Sequence, residues 1–276
     1  MSNLTKENVL KKLEVFNNIK FEPEAHKYWF EGLNIKPEEL ISATGLTGSL
    51  HKPFDSEFWA TKKAKDRGCT KEMILEEWDH KAKRACDKGT LVHYYMECNL
   101  SGKPFEIIPE LNREEIVEAF QKTKPSADRF LDMYIKSGEL IPVRSEVRVG
   151  IPEWKVVGTI DQLFLDRNGK LWIYDWKTNG KFTTENRWEN LLPPFDNFPD
   201  TNLHAYSAQL SIYRLILEKI GLQIEGCKLI WLSEMSKVFQ EHQCFDFREK
   251  AKLLIDSRLN IKEDGLNEAP IPCVLL

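Results

Sequence analysis

Residues 158–177 decide how this chain reads. They run Gly158-Thr159-Ile160-Asp161-Gln162-Leu163-Phe164-Leu165, then Asp166-Arg167-Asn168-Gly169-Lys170, then Leu171-Trp172-Ile173-Tyr174-Asp175-Trp176-Lys177. The outer segments are rich in β-branched and aromatic residues, so each predicts a strand. Asn168-Gly169 between them is a strong hairpin signal. Side chains alternate faces along a strand, which puts Asp175 and Lys177 on one side and Trp176 on the other. Folding the hairpin back brings Asp161 near Asp175. Two carboxylates and a lysine then converge at one edge of a buried sheet. Hard oxygen ligands suit Mg2+ or Mn2+, and a lysine beside them positions a water or helps to deprotonate it. That is the outline of a phosphodiester-cleaving site; the alternative is a surface hairpin whose charges are merely solvated.

Upstream, Val143, Ser145, Val147 and Val149 alternate with Arg144, Glu146 and Arg148, predicting a strand over 141–149. Trp154 to Leu165 is the next strand. Downstream, residues 179–202 hold Pro193, Pro194, Pro199 and several Asn and Asp residues. Structureless segments of such length are commonly functional or disordered. This one reads as a mobile flap over substrate, with Phe182, Trp188, Phe195 and Phe198 available to stack on bases, or as an irregular segment that those aromatics anchor. A helix over 203–220, strands over 224–233 and 238–247, a helix over 248–260 and an extended tail at 269–272 complete this half.

In the N-terminal half, an amphipathic helix is expected over 5–18 and a hairpin over 19–32, with Ser42 and Thr44 capping or turning the chain. A helix capped by Asp55 or Ser56 carries Lys62, Lys63, Lys65 and Arg67 as a local basic face. A long helical region over 71–99 is expected to break near Asp87-Lys88-Gly89. Its second half places His93 and Glu97 four residues apart on one face. His93 is either a metal ligand or a half-buried histidine bonded to Glu97. Asn112 with Glu115 resembles a capping box, and Pro125 is expected to break or kink the helix that follows.

A chain of 276 residues with 42% hydrophobic and 11% aromatic residues is globular. Its net charge of −4 does not advertise nucleic-acid binding, which would need a local basic groove. The six cysteines include no C-x-x-C pair, so no zinc site is expected. No Gly-rich phosphate loop or hydrolase nucleophile elbow is present. No apolar run has the length of a signal peptide or membrane span, so a soluble cytoplasmic protein is expected.

The pattern Gly158-x-Ile160-Asp161…Asp175-x-Lys177 resembles the PD-(D/E)XK nuclease superfamily, and its surroundings are most similar to the RecB-like, Cas4-like and viral exonuclease branch. Gly89-Thr90-x-x-His93 resembles that branch's G-T-x-x-H phrase, and Gln209-x-x-x-Tyr213 its Q-x-x-x-Y motif. His26-Lys27-Tyr28-Trp29-Phe30 followed by Ile41-Ser42-Ala43-Thr44 also fits. The resemblance implies one α/β domain over 1–276, mainly helical over 1–140. A mixed central β-sheet flanked by helices, a restriction-endonuclease-like core, would fill 141–276. It implies that His93, Asp161, Asp175 and the carbonyl of Trp176 hold one or two Mg2+ or Mn2+ ions. No iron–sulfur cluster is expected, because Cys227, Cys244 and Cys273 are too widely separated to match the bunched cysteines of that branch's cluster-bearing members. Lys177 then orients or activates water, and Gln209 and Tyr213 contact Lys177, a phosphate or both. Gly89 would let its helix approach the sheet closely. Glu97 is a partner of the site, and Glu146 lies either beside the metal or against an arginine. The implied activity is a metal-dependent DNA exonuclease acting in recombination, repair or viral DNA processing on single strands or duplex ends. A helicase or single-strand annealing protein would be its partner. The alternatives are a structure-specific endonuclease and a non-catalytic nucleic-acid-binding module on the same fold.

Overall fold

The structure, a computed structural model, describes residues 4–23 and 25–263. Helix α1 (Lys6–Leu13) precedes a hairpin of β1 (Ile19–Glu22) and β2 (Lys27–Phe30). Next come β3 (Ile41–Ser42), α2 (Ala43–Gly48), α3 (Ser56–Arg67), α4 (Lys71–Ser101) and α5 (Glu114–Phe130). The sheet follows with β4 (Leu140–Ile151), β5 (Val156–Asp166) and β6 (Leu171–Lys177). After the 179–202 loop, α6 (Asn202–Lys219), β7 (Ile224–Trp231), β8 (Gln240–Gln243) and α7 (Arg248–Glu263) close the described chain.

The sheet is mixed, as expected. β4, β5 and β6 are antiparallel neighbours, β7 runs parallel to β6, and β8 is antiparallel to β7. β4 occupies one edge of β5 along its whole length. On the other edge β6 pairs only with Gln162–Leu165, while β3 pairs in parallel with Val156 and Val157. Residues 158–161 of β5 therefore face a fork between β3 and β6. No peptide ladder fills that fork, and the chemistry sits there.

Two apolar layers enclose the sheet. Leu13, Leu46, Ile212 and Ile255, from α1, α2, α6 and α7, cover the face that includes Ile173 and Leu229. Val92 and Tyr95 of α4 and Phe120 and Phe130 of α5 cover the face that includes Phe164, Tyr174 and Trp176. Phe130 packs edge-on against Trp176 at 5.0 Å between ring centres. Helices α4 and α6 thus approach the fork from opposite faces.

Several local expectations are corrected. α4 runs unbroken through Asp87-Lys88-Gly89. A mid-helix glycine costs about 1 kcal/mol, and here Leu91, Val92, Tyr95 and Met96 are buried beyond it. The buried Lys88 adds a fastening, donating to the Thr178 carbonyl (2.6 Å) and to Glu234 (2.8 Å). α5 likewise continues past Pro125 to Phe130, with one π-turn after it, because Ile116, Phe120, Ala127 and Phe130 are buried on both sides of the proline. Its N-cap is Arg113 without a side-chain cap bond, so Asn112 does not cap it. β8 covers four residues of the ten expected. Ser42 and Asp55 do cap their helices, accepting from Gly45 and Phe58 N–H groups. The tail at 269–272 lies outside the described residues. No described helix is long and apolar enough to cross a membrane.

The 179–202 loop also departs from a mobile flap. Phe195 is fully buried and Leu191 nearly so. Phe182 stacks on His242 at 4.4 Å, and Phe198 packs 4.6 Å from Phe247. The backbone pairs with itself and with the body, Leu191 N–H donating to the Phe198 carbonyl and Leu192 N–H to the Leu50 carbonyl. His51 Nδ1 lies 2.8 Å from Asp200 Oδ1. Three of the four aromatics are spent on anchoring; Trp188 alone remains in solvent, 92% exposed.

Candidate active site

The site grows out of the fork. One step past the last β5–β6 pair, Gln162 with Tyr174, register brings Asp161 opposite Asp175. No main-chain pair forms there; instead Asp161 Oδ2 accepts the Trp176 N–H at 2.8 Å. That bond fixes the carboxylate and leaves the Trp176 carbonyl to an outside donor. The donor comes from α4, where His93 Nε2 lies 3.1 Å from the Trp176 oxygen. Gly89, one turn earlier, makes this closeness possible: a β-carbon there would sit 3.3 Å from Thr178 Oγ1.

A carbonyl only accepts, so Nε2 carries a proton, and in the neutral ring Nδ1 presents its lone pair. Nδ1 faces two carboxylates, with Asp161 Oδ2 at 3.6 Å and Glu146 Oε1 at 3.9 Å. Ligand atoms of His93, Glu146 and Asp161 all fall within 4.8 Å of one another. Three ligand atoms gathered so closely can share one cation. Two carboxylates and an imidazole nitrogen fit Mg2+ or Mn2+, with the imidazole favouring the latter.

Glu146 reaches the cluster through its backbone. It stands across from Asp161 in the β4–β5 register but skips the ladder, with φ at +48°. That left-handed conformation costs a non-glycine residue on the order of 1 kcal/mol or more and is typical of functional sites. It swings the carboxylate toward His93. Of the two placements left open by the sequence, the structure supplies the one beside the metal-type cluster; Arg148 instead donates to the Ile19 carbonyl. Burial first, then repulsion from Asp161, Glu97 and Asp175, pushes the Glu146 carboxyl well above the usual range. Its side chain keeps 40% exposure, so repulsion within the cluster is the firmer cause.

Asp175 and Lys177 lie on the α6 face of the fork. Asp175 is buried, and its Oδ2 lies 2.9 Å from Lys177 Nζ, off the hydrogen-bonding direction. Burial pushes Asp175 up to about 6, against the lowering effect of Lys177. Burial alone would lower the Lys177 ammonium, but Asp175, Tyr206 and Asp161 outweigh it and hold it above its ordinary value. Nζ also sits 4.1 Å from the centre of the Tyr206 ring. Sequence reasoning missed Tyr206; its only signal was its place one turn ahead of Gln209 on the same helix.

Gln209 and Tyr213 are placed behind the site. Gln209 Nε2 donates to Thr44 Oγ1 (3.0 Å) and to Tyr213 OH (3.3 Å). The Tyr213 ring lies against Gly158, where a β-carbon would come within 2.6 Å of it. Both residues are buried and brace β5 and α2, and their described hydrogen bonds do not include Lys177. Glu97 lies 3.6 Å from Lys103 and acts on Glu146 by charge alone.

No curated protein matches the chain. Twenty-two chains of solved structures do. One, the crystal structure of SSO0001, is 13% identical at a TM-score of 0.34, over 95% of this chain and 86% of that one. That likeness is too slight to bear on the site. A family model described as the PD-(D/E)XK nuclease superfamily matches residues 67–254, which contain His93, Glu146, Asp161, Asp175 and Lys177. With more than half its length matched, and with the acids and lysine of the motif gathered in one fork, the chain belongs to the PD-(D/E)XK nuclease superfamily.

Proposed function

We propose that this nuclease is a divalent-metal-dependent deoxyribonuclease, and specifically an exonuclease of the RecB-like, Cas4-like and viral branch acting in recombination, repair or viral DNA processing. The observation that carries the chemistry is the convergence of His93, Glu146 and Asp161 ligand atoms within 4.8 Å. The exonuclease assignment is supported by the G-T-x-x-H and Q-x-x-x-Y phrases at 89–93 and 209–213.

His93 Nδ1, Asp161 and Glu146 would hold Mg2+ or Mn2+, while the Trp176 carbonyl, which accepts from His93 Nε2, orients the ring and Asp175 stands beside them against Lys177. Such an ion, when bound, supplies Lewis-acid stabilisation of the charge that develops on the phosphate. Lys177 is the residue that meets the substrate. Its ammonium is kept protonated by Asp175, so its part is to donate to the attacking water or a phosphoryl oxygen and offset negative charge. Taking a proton from water is not open to it while that pair holds. Tyr206 restricts Nζ from the other side. Gln209 and Tyr213 act as positioning residues by holding α2 and the Gly158 end of β5.

Degradation of 5′- and 3′-labelled strands, resolved by length, tests the reading. An exonuclease releases the label of one end first as very short products, whereas scattered internal fragments would assign the endonuclease alternative. Intact DNA under all metals would leave a binding module.

A further inference from the structure

Helix α3 is built inside out. Its inward stripe is Ala60 and Ala64, both buried, and its solvent side carries Phe58 and Trp59, 57% and 45% exposed. An ordinary surface helix buries its large apolar residues and exposes small or charged ones. Phe54, just ahead of the helix, is also exposed and lies 5.8 Å from the ring of Trp78 on α4. Lysines are interleaved with these rings, Lys62 Nζ 5.1 Å from the Trp59 centre and Lys63 Nζ 5.4 Å from that of Trp78. Neither lysine forms an ion pair among the described residues; of the acids nearby, Glu57 pairs with Lys71 and Glu77 with Arg67.

This patch is continuous with the loop that leaves the active strand. Lys52, two residues before Phe54, pairs with Glu189 at 3.6 Å, and Glu189 follows the solvent-exposed Trp188. The backbone at Trp188 is held in place: Asn186 Oδ1 accepts the N–H groups of 188 and 189, and its amide donates to the Asp200 carbonyl. Exposed π-faces alternating with unpaired ammonium groups match a chain of bases and phosphates. They match a folded protein's apolar face less well, since docking one would bury Lys62 and Lys63 without counter-charges.

We propose that Trp188, Phe54, Phe58 and Trp59, with Lys62 and Lys63, form a track that binds single-stranded DNA outside the cleavage site. The proposal rests on DNA being the substrate, and it assigns the strand's path away from the fork along α3. Stacking contributes affinity without sequence preference, so the track would bind strands of any sequence.

The test is fluorescence anisotropy of a labelled single-stranded oligonucleotide with the Lys177→Ala protein, beside the same protein carrying Phe58→Ala and Trp59→Ala. These side chains are exposed, so the melting temperature should not change. Kd should rise about 5- to 150-fold. Lys62→Glu with Lys63→Glu should weaken binding and flatten its dependence on salt. In the otherwise wild-type protein, cleavage of a dinucleotide-sized substrate, too short to reach α3, should be unaffected by either pair. Unchanged Kd and salt slope in both variants would overturn the track. So would loss of self-association in the aromatic variant with DNA affinity intact, which would make the patch a protein interface. Track-dependent binding by the Lys177→Ala protein, together with no cleavage of DNA by the wild-type protein in Mg2+ or Mn2+, would instead overturn the nuclease activity and leave the track standing.

Discussion

Lys177 Nζ rests 2.9 Å from Asp175 Oδ2, and the two emerge from the same face of β6 with Trp176 turned into the opposite core layer. The pairing has two effects. It keeps a carboxylate charged in a buried place that otherwise raises its proton affinity, and it keeps an ammonium charged where substrate would meet it. Neither charge is well tolerated alone there, so the D-x-K spacing works as a unit.

His93 joins the Trp176 carbonyl to the two carboxylates of the cluster. His93→Ala should weaken Mn2+ binding at least about ten-fold, read by calorimetric titration, and lower cleavage in proportion. A drop in melting temperature with Mn2+ affinity unchanged would reduce it to a packing residue.

Glu146 is held with its carboxyl pKa raised, so the folded state binds more protons than the unfolded chain once pH exceeds the ordinary carboxylate range of about 4.5. A raised carboxyl pKa removes stability as pH rises, from that range up to about 9. Glu146→Gln should therefore raise the melting temperature of metal-free protein at pH 8 more than at pH 5. Added Mg2+ should stabilise the wild type more than the variant. Parallel melting curves for the two proteins across pH would contradict this.

Phe195 is fully buried in the 179–202 loop whereas Trp188 is 92% exposed. Phe195→Ala should cost about 3–5 kcal/mol in urea unfolding. Trp188→Ala should stay within about 0.5 kcal/mol. Equal, small effects would restore the loop as a free flap.

Gly158 takes the Tyr213 ring against its backbone, three residues from Asp161. Gly158→Ala should lower stability by about 1–3 kcal/mol and also slow turnover, because the ring and β5 must separate. Restoration by Tyr213→Leu in the double variant would confirm that the ring is the obstacle.

The hairpin, the order of sheet and helices, and the approach of His93 to Asp161 were legible because each rests on local pattern or short-range register, whereas Asp175, expected among the metal ligands, lies instead against Lys177 outside the three-residue cluster. The Asn-Gly turn sets Asp161 opposite Asp175, and Gly89 followed by His93 marks a helix that comes close to the strand end. What the sequence concealed depended on long-range contacts. Two-residue β3 is too short for any periodicity, yet it bounds the fork. Glu146 required its left-handed backbone and its place across from Asp161 in the β4–β5 register. Tyr206 became visible only once α6 lay over β6. Pro125 and Gly89 looked like breaks because their local cost was apparent and the burial around them was not. The loop aromatics looked like stacking groups because His242 and Phe247, which receive Phe182 and Phe198, follow much later in the chain.

The most direct test is the rate at which purified protein hydrolyses a labelled DNA in Mg2+ or Mn2+, compared with EDTA and with Lys177→Ala. Metal-dependent cleavage by the wild type is expected, with a loss of at least about 100-fold in the variant while its melting curve and DNA affinity remain close to wild type. Cleavage that survives either EDTA or Lys177→Ala at the wild-type rate would contradict the assignment of the fork as the catalytic centre.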